Sequence, residues 1–216
     1  MVPHDETSDD VARFNKWATR VRRAGHLLRR VRYEPETLEL DDTRLVIVAN
    51  HRSLSDVFIA IEALHHHDLP ARCLVRAKYF ESKPAGAWLR AVNCIPAGDG
   101  KRESIDVALE TLDAGRPVAI MIEGRIIPPD KRDADGMGEI RPGFVEIARK
   151  AGVDIMPIGV LGSDEIWGSR SMLPRIPWRG RPEIRLRTGR TISVEGKTDD
   201  EVVAETRAML AGYLAP

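Results

Sequence analysis

The segment LVIVANHRSLSD, beginning at Leu45, is an apolar run that stops abruptly at Asn50, His51, Arg52 and Ser53, with Asp56 close behind. A histidine and an aspartate five positions apart can fold together across a short turn. The carboxylate then accepts a hydrogen bond from one imidazole nitrogen and leaves the other free to take a proton. That pair is the working half of a catalytic triad, in which an acid fixes the tautomer and the base deprotonates a nucleophile. The nucleophile need not belong to the protein, because a substrate hydroxyl serves as well. Two other readings stay open on these residues alone. His51 can be a strand-end residue bonded to backbone, with Ser55 and Asp56 capping a helix. Ser53 or Ser55 can be a covalent nucleophile, although neither sits in the Gly-x-Ser-x-Gly turn that would present a hydroxyl.

Three further segments carry residues suited to the same chemistry. VAIMIEGRIIPP ends an apolar run in Glu123, Gly124 and Arg125. Glycine there permits close backbone approach to a ligand, and an arginine can fork onto phosphate or carboxylate. A structural ion pair made by Glu123 is the competing reading. In EIRPGFVEIARKAGVDIMPIGV, Arg141 precedes a Pro-Gly turn that opens a helix, and a buried strand containing Pro157 follows. In AVNCIPAGDGKRES, Ile95 and Pro96 end a strand before a small loop carrying Lys101 and Arg102.

The elements that must position these residues alternate. β-rich runs fall at 44–49, 71–76, 93–96, 117–122, 154–160 and 183–187, and helical patterns at 54–66, 85–92, 102–114, 143–151 and 199–214. This alternation predicts an α/β fold with a mostly parallel, mixed sheet flanked by helices. Active residues in such sheets collect beyond the carboxyl ends of the strands, where all four segments fall. Ahead of the sheet, Phe14, Trp17, Val21, Ala24, Leu28 and Val31 recur at helical spacing, and Arg13, Lys16, Arg20, Arg22, Arg23, Arg29, Arg30 and Arg32 occupy the other faces. The pattern is a basic amphipathic helix, or a pair broken near Gly25, over residues 1–34, with the catalytic domain over 35–216. Such a helix can lie on an anionic membrane surface, pack on the domain, or do both.

Composition narrows the classes. Lys plus Arg equal Asp plus Glu at 33 each, so net charge gives no reason to expect a nucleic-acid partner. Cys73 and Cys94 are too few for a disulfide framework and lack the spacing of a metal site, which fits a reducing cytoplasm. No run reaches the roughly 20 apolar residues of a membrane span, and the first residues hold no apolar signal core. His65, His66 and His67 are adjacent on a helix and point apart, so a metal site is not expected there. The aromatic tract from Gly162 to Gly180, with Trp167, Met172, Pro174, Pro177 and Trp178, suits a channel wall, a membrane-contacting loop or packing over the sheet.

Taken in order over residues 44–160, the four segments resemble the lysophosphatidate (1-acylglycerol-3-phosphate) acyltransferase family. NHRSLSD matches its Asn-His-x4-Asp motif, NCIP is similar to its second motif, EGR to Glu-Gly variants of the third, and RPG…DIMPIGV to the fourth. The resemblance implies transfer of a fatty acyl group from a coenzyme A or acyl-carrier-protein thioester to a hydroxyl of a lysolipid. His51 would be the general base and Asp56 its orienting partner, with Asn50, Ser53, Lys101, Arg102, Glu123, Gly124, Arg125 and Arg141 around the substrates. It also implies no cofactor, no metal and a peripheral location on the cytoplasmic face of the cell membrane. The sequence departs from the family pattern where an arginine commonly follows Ile-Pro and Ala97, Gly98, Asp99 and Gly100 stand instead. Met121 and Ile122 replace the usual Phe-Pro, Arg125 directly follows Gly124 where Thr-Arg is frequent, and Arg141 replaces a lysine. These departures touch the acceptor side, where a glycolipid, another lysolipid or a specialised hydroxyl or amine acceptor becomes an alternative; a thioesterase would use the same His-Asp pair on water.

Overall fold

The structure is a computed structural model that describes residues 4–38, 40, 42–98, 102–168, 171, 173–175 and 180–215, with backbone only at 4–7. In chain order the elements are α1 (His4–Leu28), β1 (Arg30–Glu34), β2 (Val46–Ala49), α2 (Asp56–His66), β3 (Arg72–Arg76), α3 (Lys78–Glu81), α4 (Lys83–Ala91), β4 (Ile95–Ala97), α5 (Arg102–Asp113), β5 (Val118–Met121), α6 (Gly143–Ala151), β6 (Ile155–Leu161), α7 (Ser163–Ile166), β7 (Glu183–Thr188) and α8 (Asp199–Leu214). One seven-stranded sheet has the order β1-β7-β6-β2-β5-β3-β4. The strands β2 to β6 run parallel, β7 is antiparallel to β6, and β1 is parallel to β7. The expected mixed α/β sheet is therefore present.

Helices cover both faces, which is why β2 is buried along its whole length. Val46 and Val48 pack with α5, α6 and α8, while Ile47 packs with α1, α2 and α4. β2 sits mid-sheet between β6 and β5, so the loops after these three strands meet above the sheet's carboxyl edge.

Two facts about the amino-terminal segment come from the structure, and the first departs from expectation. First, α1 is one helix ending at Leu28, and Arg30–Glu34 is an edge strand, so the sheet crosses the boundary placed at residue 34. RVRYE alternates polar and apolar residues with the period of a strand, and Val31 and Tyr33 turn inward onto a cluster with Ile184 and Leu186. Second, the apolar stripe of α1 belongs to the core. Phe14 and Ala18 are fully buried against α2 and neighbouring elements, and Ala24 is exposed instead.

Arg29, expected among the solvated arginines, is buried with its Nη2 2.5 Å from Glu62 Oε2 on α2. Gly25 makes the room, since a Cβ there would lie 2.7 Å from the Arg29 guanidinium. At its other end α1 is tied down by Asp10, which accepts a 2.6 Å hydrogen bond from Asn93 Nδ2. The helix is docked on the body, with Arg13, Lys16, Arg20, Arg22 and Arg23 still facing outward. Among the described residues, no helix is long and apolar enough to cross a membrane.

Removing one member of a buried ion pair strands the other, at a cost of about 3–5 kcal/mol. Glu62→Gln should therefore destabilise the protein by about 3 kcal/mol in urea denaturation, while Arg23→Gln on the outer face of α1 should change stability by less than about 0.5 kcal/mol.

Candidate active site

Asn50 to Ser55 form the short turn that joins β2 to α2. The helix begins with Asp56, whose carboxylate sits where the helix dipole and the free amides of the first turn favour negative charge. One oxygen, Oδ2, accepts from the backbone N–H groups of Arg52 (2.7 Å) and Ser53 (2.8 Å) and lies 2.9 Å from His51 Nδ1. The Asp56 side chain is fully buried, whereas the His51 ring retains 21% exposure and faces a cleft. An acceptor-only carboxylate at Nδ1 selects the tautomer with the proton on Nδ1 and leaves Nε2 as the base.

Neighbouring side chains hold the turn by satisfying backbone. Asn50 is buried and makes a double bridge to Val160 on β6, donating to its O at 3.0 Å and accepting from its N at 2.7 Å. Ser53 Oγ donates to Trp167 O at 2.7 Å and lies 2.8 Å from Ser55 Oγ. Glu123, at the end of β5, accepts from His51 N through Oε2 and from Gly138 N through Oε1, the latter at 2.7 Å. These three residues, expected around the substrates, are buried and lie outside the lining of the cleft. Their place is behind the histidine, where they fix the loops. Burial raises the Glu123 carboxyl above its ordinary range, and the two amide donors pull it back only in part.

The cleft has a volume of about 1030 Å³, at the upper end of the roughly 300–1,000 Å³ of small-molecule sites. His51 lines this cleft together with apolar and cationic side chains. Val57, Phe58, Val75, Trp88 and Leu89 line an apolar part, with the rings of Phe58 and Trp88 4.6 Å apart. The lining also carries four cations, Arg76, Lys78, Arg125 and Arg141. Gly124 shapes this cationic side. Its φ of +63° is left-handed, and a Cβ would meet Arg141 Cδ at 3.0 Å, so glycine alone lets Arg141 lie across the turn. Arg76 donates from Nε to the Gly124 carbonyl at 2.8 Å, which brings a second guanidinium to the same turn.

Of the expected residues, the structure thus brings His51, Gly124, Arg125 and Arg141 together at the cleft, with Asp56 buried behind His51. Arg102 is exposed at the start of α5, outside the cleft lining. Lys101 lies outside the described residues, as do Met172, Pro177 and Trp178; Trp167 lines the cleft. The sequence reading missed Arg76 and Lys78. Their signal was available, because CLVR ends β3 at the same carboxyl edge. The three histidines after Leu64 serve packing: His65 lies within hydrogen-bond distance of Asn15 and Thr19 on α1, and His66 stacks on Tyr33 at 3.8 Å.

Comparison with known proteins bears on this arrangement. A family model described as acyltransferase matches residues 28–161. A curated relative, the probable 1-acyl-sn-glycerol-3-phosphate acyltransferase of Mycoplasma genitalium, is 27% identical over 125 residues, which is 55% of this chain and 44% of that protein. The chain therefore spans less than half the length of that relative. Among solved structures, the 1-acyl-sn-glycerophosphate (LPA) acyltransferase PlsC from Thermotoga maritima superposes with a TM-score of 0.71 at 16% identity, over 98% of this chain and 83% of that one. That likeness is one of fold.

Glu123 gives a pH signature. A carboxyl whose folded value is raised binds its proton more tightly in the folded state, so its contribution is full below the unfolded value near 4.5 and fades as pH rises through the folded value. Urea midpoints of the wild type should carry this term just above pH 4.5, and Glu123→Gln should remove it. The same substitution sets an amide N–H₂ against a backbone N–H, so turnover should fall about 10- to 100-fold with a smaller change in KM.

Proposed function

This chain belongs to the acyltransferase family, and from that premise we propose that it transfers a fatty acyl group from a thioester of coenzyme A or acyl carrier protein to a hydroxyl of a lysophospholipid such as 1-acylglycerol-3-phosphate. One observation carries the reading: an imidazole braced by a buried aspartate lines one cleft with an apolar wall and with arginines gathered at Gly124. An acyl chain suits the first wall. A phosphate suits the second, where Arg76, Arg125 and Arg141 converge. The phosphate-bearing acceptor is thereby favoured over a neutral glycolipid.

The chemistry asks little of the protein beyond placement. The acceptor hydroxyl attacks the thioester carbonyl while His51 Nε2 takes its proton, forming a C–O bond and a tetrahedral oxyanion. Collapse breaks the C–S bond, and the thiolate recovers the proton from the imidazolium. Asp56 stabilises that cation without accepting its proton. No acyl-enzyme is formed on this route. Ser53 hydroxyl is engaged with Trp167 and Ser55, which speaks against its serving as a nucleophile. The outward arginines of α1 would face anionic headgroups on a cytoplasmic membrane surface. Because the apolar stripe of α1 is buried, this contact is electrostatic and weakens with salt.

An assay with one acyl thioester and a panel of acceptors tests the proposal. Acyl lysolipid product should require the acceptor, and His51→Ala should lower its rate about 100- to 10,000-fold without loss of the folded state. Free fatty acid released equally with and without acceptor would replace the transferase with a thioesterase, and unchanged transfer by His51→Ala would remove the mechanism.

A further inference from the structure

The chain from Ile127 to Gly138, between β5 and α6, is a loop that touches the β2–α2 turn at both of its ends. Ile127 N donates to His51 O at 3.4 Å, and Gly138 N donates to Glu123 Oε1 at 2.7 Å. Glu123 Oε2 in turn accepts from His51 N. Both backbone groups of His51 thus meet this loop, the carbonyl directly and the amide through Glu123. Arg52, the next residue of the turn, reaches Gly136 O with Nη2 at 3.4 Å, and a Cβ at Gly136 would lie 2.7 Å from that nitrogen. A loop has no ladder to hold it, so its position is set by the partners of its polar groups.

A principal partner lies on α8. Arg207 forks onto Asp135, from Nε at 2.6 Å and from Nη2 at 3.0 Å, and its Nη1 donates to Gly138 O at 3.2 Å. Nη2 also meets Asp133 at 2.7 Å, but Asp133 is largely exposed and that pair contributes little. Asp135 Oδ1 accepts from Met137 N at 3.2 Å, and Met137 is fully buried in a core cluster with Leu210 and Leu214 of α8. Gly138 is the joint of the arrangement. It is buried, its N–H faces Glu123, and its carbonyl faces Arg207. A Cβ there would lie 2.6 Å from Ile127 Cγ1, so the two ends of the loop abut.

We propose that Arg207 is a positioning residue for His51, acting through Asp135, Gly138 and Glu123 to hold the imidazole in line with the substrates. The proposal rests on the acyl-transfer reading, in which His51 takes the hydroxyl proton. It makes α8, which lies wholly beyond residue 161, part of the frame behind the histidine. A misplacement of about 1 Å at a reacting group can cost about a hundredfold in rate, so a residue that acts through intermediates should carry part of that.

Steady-state kinetics of the full chain and hydrogen exchange of the His51 amide test the proposal together. Arg207→Ala should lower kcat about 10-fold with KM within about twofold of the wild type. Arg207→Lys keeps the charge but loses the fork, and its kcat should fall between the two. Arg149→Ala is the control. It removes bonds from α6 to Asp199 and to the carbonyls of Val194 and Lys197 without touching the loop, so its kcat should stay within about twofold of the wild type. If Arg207 acts through Glu123, the double variant Arg207→Ala, Glu123→Gln should turn over within about twofold of Glu123→Gln alone. The His51 amide should exchange about 10-fold faster in Arg207→Ala and at the wild-type rate in Arg149→Ala. Multiplying losses in the double variant, a change confined to KM, or unaltered exchange in Arg207→Ala would each overturn the proposal. Should Arg207→Ala fail to fold, Asp135→Asn weakens the same fork from the loop side and takes its place in every arm. Exchange does not depend on turnover. A wild type without acyl transfer would therefore count against the proposed reaction, and exchange would still decide whether Arg207 governs His51.

Discussion

Everything at the site depends on one carboxylate oxygen. Asp56 Oδ2 is shared by two backbone amides of the β2–α2 turn and by the Nδ1 of His51, so the turn and the imidazole have a common anchor. A ring held in this way has little freedom left, and its second nitrogen is aimed by the fold. Asn50 and Glu123 extend the same logic outward by bonding backbone groups of β6 and of the loop after β5. Three loops that meet at the carboxyl edge become one rigid frame, which is what the proposed proton transfer would require.

The cleft divides its labour by chemistry. Apolar residues of α2, β3 and α4 make one wall, and arginines gathered around Gly124 make the other. The left-handed glycine links the two because it lets Arg141 lie over the turn while its carbonyl receives Arg76. The proposed joining of an acyl chain to a phosphate-bearing alcohol would use both environments. Docking of α1 belongs to the same design. The helix sends apolar residues into the core and arginines outward, so it supports α2, which carries Asp56.

Much of this was legible before any coordinates. NHRSLSD announces a strand-end histidine with an aspartate within folding distance, and the alternation of apolar runs predicts the sheet and its helices almost element by element. What stayed hidden depends on partners far apart in sequence. Asn50 looks like a ligand-binding residue until Val160 is beside it, and Glu123 looks like an acceptor site until both oxygens are found on backbone amides. Arg29 resembles its exposed neighbours because only the fold brings Glu62 to it. The strand Arg30–Glu34 was readable from its two-residue alternation, but helical spacing through Leu28 and Val31 masked it.

Nitrogen-15 NMR of the His51 ring tests the central claim most directly, with the resonances assigned by difference against His51→Gln. The account requires the neutral ring to carry its proton on Nδ1, toward Asp56, with Nε2 bare, and requires that preference to weaken in Asp56→Asn. A ring protonated on Nε2 in the wild type, or a tautomer indifferent to Asp56, would contradict it.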